Sequence, residues 1–210
     1  MTLGAASSYD SIMTLPNKLT VSRLGAAPLV FLSWYLPFRL GLAPRLGAVL
    51  LWVLFVISEI TDVMDGHIAR SRGQVSDIGK LMDPFSDVFL RVTYFVCFVG
   101  AGLMPTWALA VILWRELAIM FIRMLLAREG TALAANKGGK LKAVLYFVSG
   151  LGGMAVLTFR AWFADPSWLP AAETASSYLF AVAALASLVS FAYYFRIFLR
   201  SDTCKRFLAE

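Results

Sequence analysis

The residues whose types and spacing could support chemistry lie between two long apolar stretches of the chain. Asp62 and Asp65 are three residues apart, and Asp83 and Asp87 are four apart, so each pair shares one face of a helix. Four carboxylates from two facing helices repel one another unless cations lie between them. Asp oxygens suit magnesium, manganese or calcium rather than zinc, and two such ions form a clamp used for displacement at phosphorus.

Small and cationic residues around these carboxylates suit a phosphate ligand. Gly66 and Gly79 lack side chains, so a nucleotide could approach the helix backbone closely there. Ala69 is also small, and Arg70 would place a guanidinium beside the metal-binding face. The alternative interpretation is a set of helix-end charges at a membrane interface. Four Asp at paired helical spacing, with Gly and Arg among them, favour a binding site instead.

The composition indicates which elements must position these residues. The chain has 210 residues, of which 60% are hydrophobic and 15% charged, whereas soluble domains carry about 25% charged residues. Apolar stretches of membrane length occur six times, at about 19–37, 46–65, 77–102, 105–128, 140–159 and 176–198. We therefore predict an all-α integral membrane protein, a six-transmembrane-helix bundle with a polar cavity open to the cytoplasm. It should form a single domain over residues 1–210, with 1–16 as a short N-terminal interfacial segment.

The basic residues predict an orientation. Three of them, Arg39, Arg45 and Arg160, follow the odd-numbered spans, while eleven lie on the opposite side. This asymmetry places both termini and the Asp cluster on the cytoplasmic side of a multi-pass inner membrane protein. The net charge of +6 is thereby explained by membrane orientation, and no nucleic-acid partner is expected.

A second constellation lies in the fourth and fifth spans. Arg115 and Arg123 are eight residues apart, which is about 80° around a helix, so both can line one cavity. With Lys140 and Lys142 they would form a cationic pocket suited to an acceptor that carries a phosphate. Two alternatives remain open: Glu116 could form a plain intramembrane ion pair with Arg115, and the lysines could be positive-inside anchors.

The pattern Asp-x-x-Asp-Gly-x-x-Ala-Arg, eight residues, Gly-x-x-x-Asp-x-x-x-Asp resembles that of the CDP-alcohol phosphotransferases. All its fixed positions are present at the expected spacing: Asp62, Asp65, Gly66, Ala69, Arg70, Gly79, Asp83 and Asp87. Two further stretches resemble the phosphatidylglycerophosphate synthase branch of the family: the opening Pro16-Asn17-x-Leu19-Thr20-x-x-Arg23, and Arg115-Glu116 with Arg123 and Gly139-Lys140-x-Lys142. Val88 stands where that branch usually carries Lys, and Arg91 follows one turn later.

The resemblance implies transfer of a phosphatidyl group from CDP-diacylglycerol to glycerol 3-phosphate, with release of CMP. It implies two Mg²⁺ or Mn²⁺ ions bridged by Asp62 and Asp83 and completed by Asp65 and Asp87, with Asp87 as the base. CDP would be bound by Asp65, Gly66, Ala69, Arg70 and Gly79, and the acceptor phosphate by Arg115, Arg123, Lys140 and Lys142. A membrane lipid is thus a substrate, and we also expect a homodimer.

Three other functions remain open on the sequence. A sister enzyme could use inositol phosphate or serine as the acceptor, since the donor motif is shared. A CDP-choline-type enzyme would instead use diacylglycerol as the acceptor. An ion transporter also carries intramembrane carboxylates, but near the bilayer midplane, whereas these lie at the end of the spans.

Overall fold

The computed structural model describes the backbone of residues 15–71, 77–128, 137–200 and 204, and the side chains of 20–61, 82–126, 139–200 and 204. In these parts of the chain the elements are α1 (Leu15–Trp34), a π-helical turn (Tyr35–Arg39), α2 (Pro44–Ser71), α3 (Asp77–Gly100), α4 (Thr106–Arg128), α5 (Lys137–Trp162) and α6 (Leu169–Leu199). The same parts contain no strand, so the predicted all-α class is confirmed.

The six helices pack as a ring. Helix α1 lies between α2 and α3, and α6 lies between α4 and α5. The two groups of three helices meet where α2 packs against α5 and α3 packs against α4. The ring order is therefore α1, α2, α5, α6, α4 and α3, which brings α3, α4 and α5 around a common interior.

The core of the ring is aromatic. Phe180 of α6 lies with its ring centroid 5.4 Å from that of Phe95 and 5.4 Å from that of Phe98, both on α3. Tyr146 of α5 meets Phe95 edge to face at 5.7 Å. A β-carbon at Gly153 would lie 2.9 Å from the Phe98 ring, so α5 approaches α3 closely because this residue has no side chain. Aromatic packing thus fixes α3 against α5 and α6.

The turn after α3 is set by a glycine. Gly102 has a φ of +75°, a conformation that only Gly adopts without strain. The Leu103 N–H donates to the Phe98 carbonyl at 2.9 Å, and the Gly102 N–H donates to the Val99 carbonyl at 3.0 Å. These two bonds form a Schellman motif, which ends the helix and returns the chain into α4.

Three helices contain segments long and apolar enough to cross a membrane, judged by length and composition over the described residues: Pro44–Thr61, Gly139–Trp162 and Leu169–Leu199. The expected start of the sixth helix is wrong. The sixth helix begins at Leu169 rather than near residue 176, because Pro170 occupies the first turn, where its missing N–H costs no helical hydrogen bond. At the other end of the chain, α1 already begins at Leu15, so the last two residues of the expected interfacial segment 1–16 are helical. Residues 1–14 lie outside the described residues.

Candidate active site

Six of the predicted site residues can be located by their backbone alone. Asp62, Asp65, Gly66, Ala69 and Arg70 lie on the last turns of α2, and Gly79 lies on the first turn of α3. Their side chains are outside the described residues. The roles predicted for these six residues stay predictions.

The other half of the carboxylate motif is held by α1. Thr20 Oγ1 donates a hydrogen bond to Asp83 Oδ1, and the guanidinium of Arg23 pairs with Asp87 Oδ1. A second nitrogen of Arg23 lies 3.9 Å from Asp83 Oδ1. Thr20 and Arg23 are three residues apart on one face of their helix, and both are buried. Helix α1 therefore fixes the positions of both carboxylates on α3.

The two described carboxylates fit a hard divalent cation. Both present oxygen donors from one face of α3, the ligand type that magnesium and manganese prefer. The side chain of Asp83 is 47% exposed and that of Asp87 is 32% exposed, whereas Arg23 is 3% exposed. An ion can thus reach the carboxylates from solvent while the guanidinium stays behind them. Among the described residues no group of three acidic, His or Cys side chains comes together.

Two cavities meet at Asp87. The first, which we call the apolar cavity, has a volume of about 230 Å³. Its lining includes polar residues and many aromatic ones: Arg23, Ser58, Glu59, Asp87 and Arg91, with Phe55, Tyr94, Phe95, Phe98, Tyr146 and Phe147. The second, the cationic cavity, has a volume of about 310 Å³. Asp87, Arg91 and Ala143 line both, so the two cavities are adjacent.

The cationic cavity brings together all four residues predicted to bind the acceptor phosphate. Arg115 and Arg123 reach it from α4, and Lys140 and Lys142 from α5. Arg123 and Lys140 are exposed, while Arg115 and Lys142 are buried. The four cations therefore fall into two pairs with different environments.

The buried pair is neutralised in part by Glu116. Arg115 donates to both oxygens of this carboxylate at 3.1 Å, and Lys142 Nζ donates to Oε1 at 2.6 Å. The Tyr146 hydroxyl also donates to Oε1, at 3.2 Å, and Arg115 donates to Ser190 Oγ at 3.1 Å. The ion pair between Arg115 and Glu116 that the sequence left open is thus present, and it includes Lys142 as well. The side chains of Arg123 and Lys140 have no hydrogen bond or salt bridge within the described part of the chain.

Comparison with known proteins identifies the family. The profile of the CDP-alcohol phosphatidyltransferases matches residues 13–199. The chain belongs to this family. It is 34% identical over 147 residues to a CDP-diacylglycerol–glycerol-3-phosphate 3-phosphatidyltransferase of Treponema pallidum, a match that covers 70% of this chain and 68% of the relative. The Bacillus subtilis enzyme of the same name is 34% identical, with 62% and 71% covered. A probable phosphatidylglycerophosphate synthase of Mycobacterium tuberculosis is 33% identical, with 70% and 68% covered.

The sequence had predicted no role for three residues that lie at the site of this phosphatidyltransferase. Thr20 and Arg23 hold the carboxylates of α3, and Arg91 lines both cavities. A signal existed for Arg23, because it is the only charge in the first apolar span and ionisable residues there are functional candidates. For Arg91 the signal was its position one turn after Asp87 on the same helix face.

Proposed function

We propose that the protein is a membrane-embedded phosphatidyltransferase that makes phosphatidylglycerophosphate and CMP from CDP-diacylglycerol and glycerol 3-phosphate. The observation that carries the proposal is the position of Asp87. This carboxylate of the family motif lies on the wall shared by the apolar cavity and the cationic cavity. The names of the relatives support the same pair of substrates.

The proposed arrangement in the membrane is a single domain of six spans. The three helices that are apolar by composition support it directly. The other three carry charges that face the ring interior, as Arg23 of α1 and Glu116 of α4 do, and interior charges are the ones that membrane helices tolerate. The excess of basic residues on one side favours cytoplasmic termini and a cytoplasmic opening of the site in the inner membrane.

The donor site combines both halves of the motif. Asp62, Asp65, Asp83 and Asp87 would hold two divalent ions, Mg²⁺ or Mn²⁺, which when bound would neutralise the pyrophosphate charge. Arg70 would add a guanidinium for the phosphates, and Gly66, Ala69 and Gly79 would leave room for the nucleotide. Thr20 and Arg23 keep Asp83 and Asp87 in place through the contacts described above.

The reaction joins the acceptor to the phosphatidyl phosphorus. The hydroxyl oxygen of glycerol 3-phosphate attacks this phosphorus, the bond from phosphorus to the CMP oxygen breaks, and the hydroxyl proton passes to Asp87. Asp87 suits this role because it lies between the two cavities and is one-third exposed. The cationic cavity would hold the phosphate of the acceptor through Arg123 and Lys140, with Arg115 and Lys142 behind them.

The test is an acceptor panel with the purified protein in detergent. Radiolabelled CDP-diacylglycerol is supplied with glycerol 3-phosphate, inositol phosphate, serine or glycerol, and the lipid products are separated. We expect label in phosphatidylglycerophosphate, with at least tenfold less product from the other acceptors. A main product from inositol phosphate or serine would contradict the proposed acceptor, and no lipid product from any acceptor would contradict the CDP-diacylglycerol reaction itself.

A further inference from the structure

Arg91 occupies a position that no other described cation shares. It lies on α3 four residues after Asp87, which is one helical turn on the same face. It is half-buried and lines both the apolar cavity and the cationic cavity. Its guanidinium carbon lies 5.8 Å from the centroid of the Tyr146 ring on α5. A cation-π contact of this kind holds the guanidinium in place without using any of its N–H donors.

The hydrogen-bond donors of Arg91 are available to a ligand. Of the five cations that line the cationic cavity, Arg115 and Lys142 already donate to Glu116. Arg91 has no hydrogen bond or salt bridge to any residue that the structure describes, which leaves its planar fork of donors unused. Arg123 and Lys140 are likewise unpaired over the described ranges but lie in more exposed positions. Of the three cations in this cavity whose donors are unused by the described residues, Arg91 is the nearest in sequence to Asp87.

We propose that Arg91 binds the phosphate of the acceptor and sets its distance from the reacting hydroxyl, an inference that rests on the proposed function. Four residues of helix span about 6 Å along the axis, so the backbone positions of Arg91 and Asp87 are one helical turn apart, and both residues line the cationic cavity. A three-carbon phosphate monoester has a comparable length between its phosphate and its far hydroxyl group. Arg91 would thus select short phosphorylated alcohols, with Arg123 and Lys140 contributing charge at the rim.

The test uses Arg91→Gln, which removes the charge, and Arg91→Lys, which keeps the charge but loses the planar fork. Ligand binding is followed by the thermal unfolding of the purified full-length protein in detergent, during titration with glycerol 3-phosphate, glycerol or CDP. We expect the half-saturating glycerol 3-phosphate concentration to rise about tenfold to a hundredfold in Arg91→Gln, and by less in Arg91→Lys. CDP should titrate as in the wild type.

Arg45→Gln is the matched control, because it removes one positive charge from the exposed start of α2, the opposite end of that helix from the Asp motif. It should leave both titrations unchanged. Equal glycerol 3-phosphate titrations in wild type and Arg91→Gln would overturn the inference, as would equal shifts for glycerol 3-phosphate and CDP. Absence of stabilisation of the wild type by glycerol 3-phosphate would overturn it too. If binding of glycerol 3-phosphate depends on Arg91 but the acceptor panel yields no labelled lipid, the inference stands and the proposed transfer fails.

Discussion

Replacing Glu116 with Gln should destabilise the protein substantially, because this buried carboxylate accepts hydrogen bonds from three different side chains. Arg115 and Lys142 are both buried, and each would lose its negative partner. Breaking a buried ion pair by removing one member costs about 3–5 kcal/mol, since the remaining charge is left uncompensated. In membrane proteins each such hydrogen bond averages only about 0.6 kcal/mol, so the four contacts of Glu116 would total about 2.4 kcal/mol. We expect a loss of about 2–4 kcal/mol.

Reversible unfolding in mixed detergent micelles, followed by helical circular dichroism, measures this loss. The matched control is Glu173→Gln, which breaks the ion pair between Glu173 and Arg160 at 2.8 Å near the start of α6. Both side chains of that pair are about one-third exposed, at 33% and 30%, so its loss should cost less than about 1 kcal/mol. The double variant Glu116→Gln with Lys142→Met should recover part of the stability, because only one buried cation then remains unpaired. A loss below about 1 kcal/mol in Glu116→Gln, or equal losses in the two Glu variants, would refute the reasoning.

Three further predictions address the metal site, the topology and the acceptor pocket. Asp83→Ala should retain its thermal unfolding temperature within a few degrees but show no detectable transfer, because a proposed ligand of both metals is gone; substantial activity at saturating magnesium would exclude the two-metal proposal. Single cysteines at Gln74, outside the described residues, and at Trp168, in a background without the native cysteines, should label from opposite faces of sealed vesicles; labelling from one face would exclude six spans. Arg123→Gln should raise the Michaelis constant for glycerol 3-phosphate about tenfold and leave slow transfer to glycerol unchanged; equal effects on both acceptors would make Arg123 structural.

Hydropathy predicted one helix for each of six apolar stretches, and the described residues contain six α-helices in that order. Three of these helices are long and apolar enough to cross a membrane, judged over the same residues. Hydropathy predicted the start of the sixth helix poorly. A window of apolar residues locates the part of a helix that suits lipid, whereas Leu169 to Thr174 form helical turns that include Pro170 and the charged Glu173. The Pro in the first turn and the burial of Leu169 both favour a helix there, but a hydropathy window reports how apolar a stretch is and not where a helix begins.

The spacing of the motif predicted that Asp83 and Asp87 share a helix face, but it could not predict which helix supports them. Asp83 is held by Thr20 and Asp87 by Arg23, across 63 and 64 residues of sequence. Contacts of this kind depend on the packing of α1 against α3, which local periodicity does not determine. The same limit applies to Lys142 and Glu116, which are 26 residues apart. From the sequence, an ion pair was expected only between the adjacent residues Arg115 and Glu116.

The ion pairs of Glu116 also lower the net positive charge of the cationic cavity. Four predicted cations suggested a strongly positive pocket, yet the buried trio of Arg115, Lys142 and Glu116 carries a net charge of only +1. The Glu116→Gln substitution raises that charge by one unit. For a phosphate within about 8 Å, at an effective dielectric constant of about 20, the added attraction is about 2 kcal/mol, or more than tenfold in affinity. We therefore expect Glu116→Gln to lose stability while it binds glycerol 3-phosphate more tightly, the trade-off typical of functional sites. If stability and phosphate affinity fall together, Glu116 instead holds Arg115 and Lys142 in the geometry that the phosphate needs.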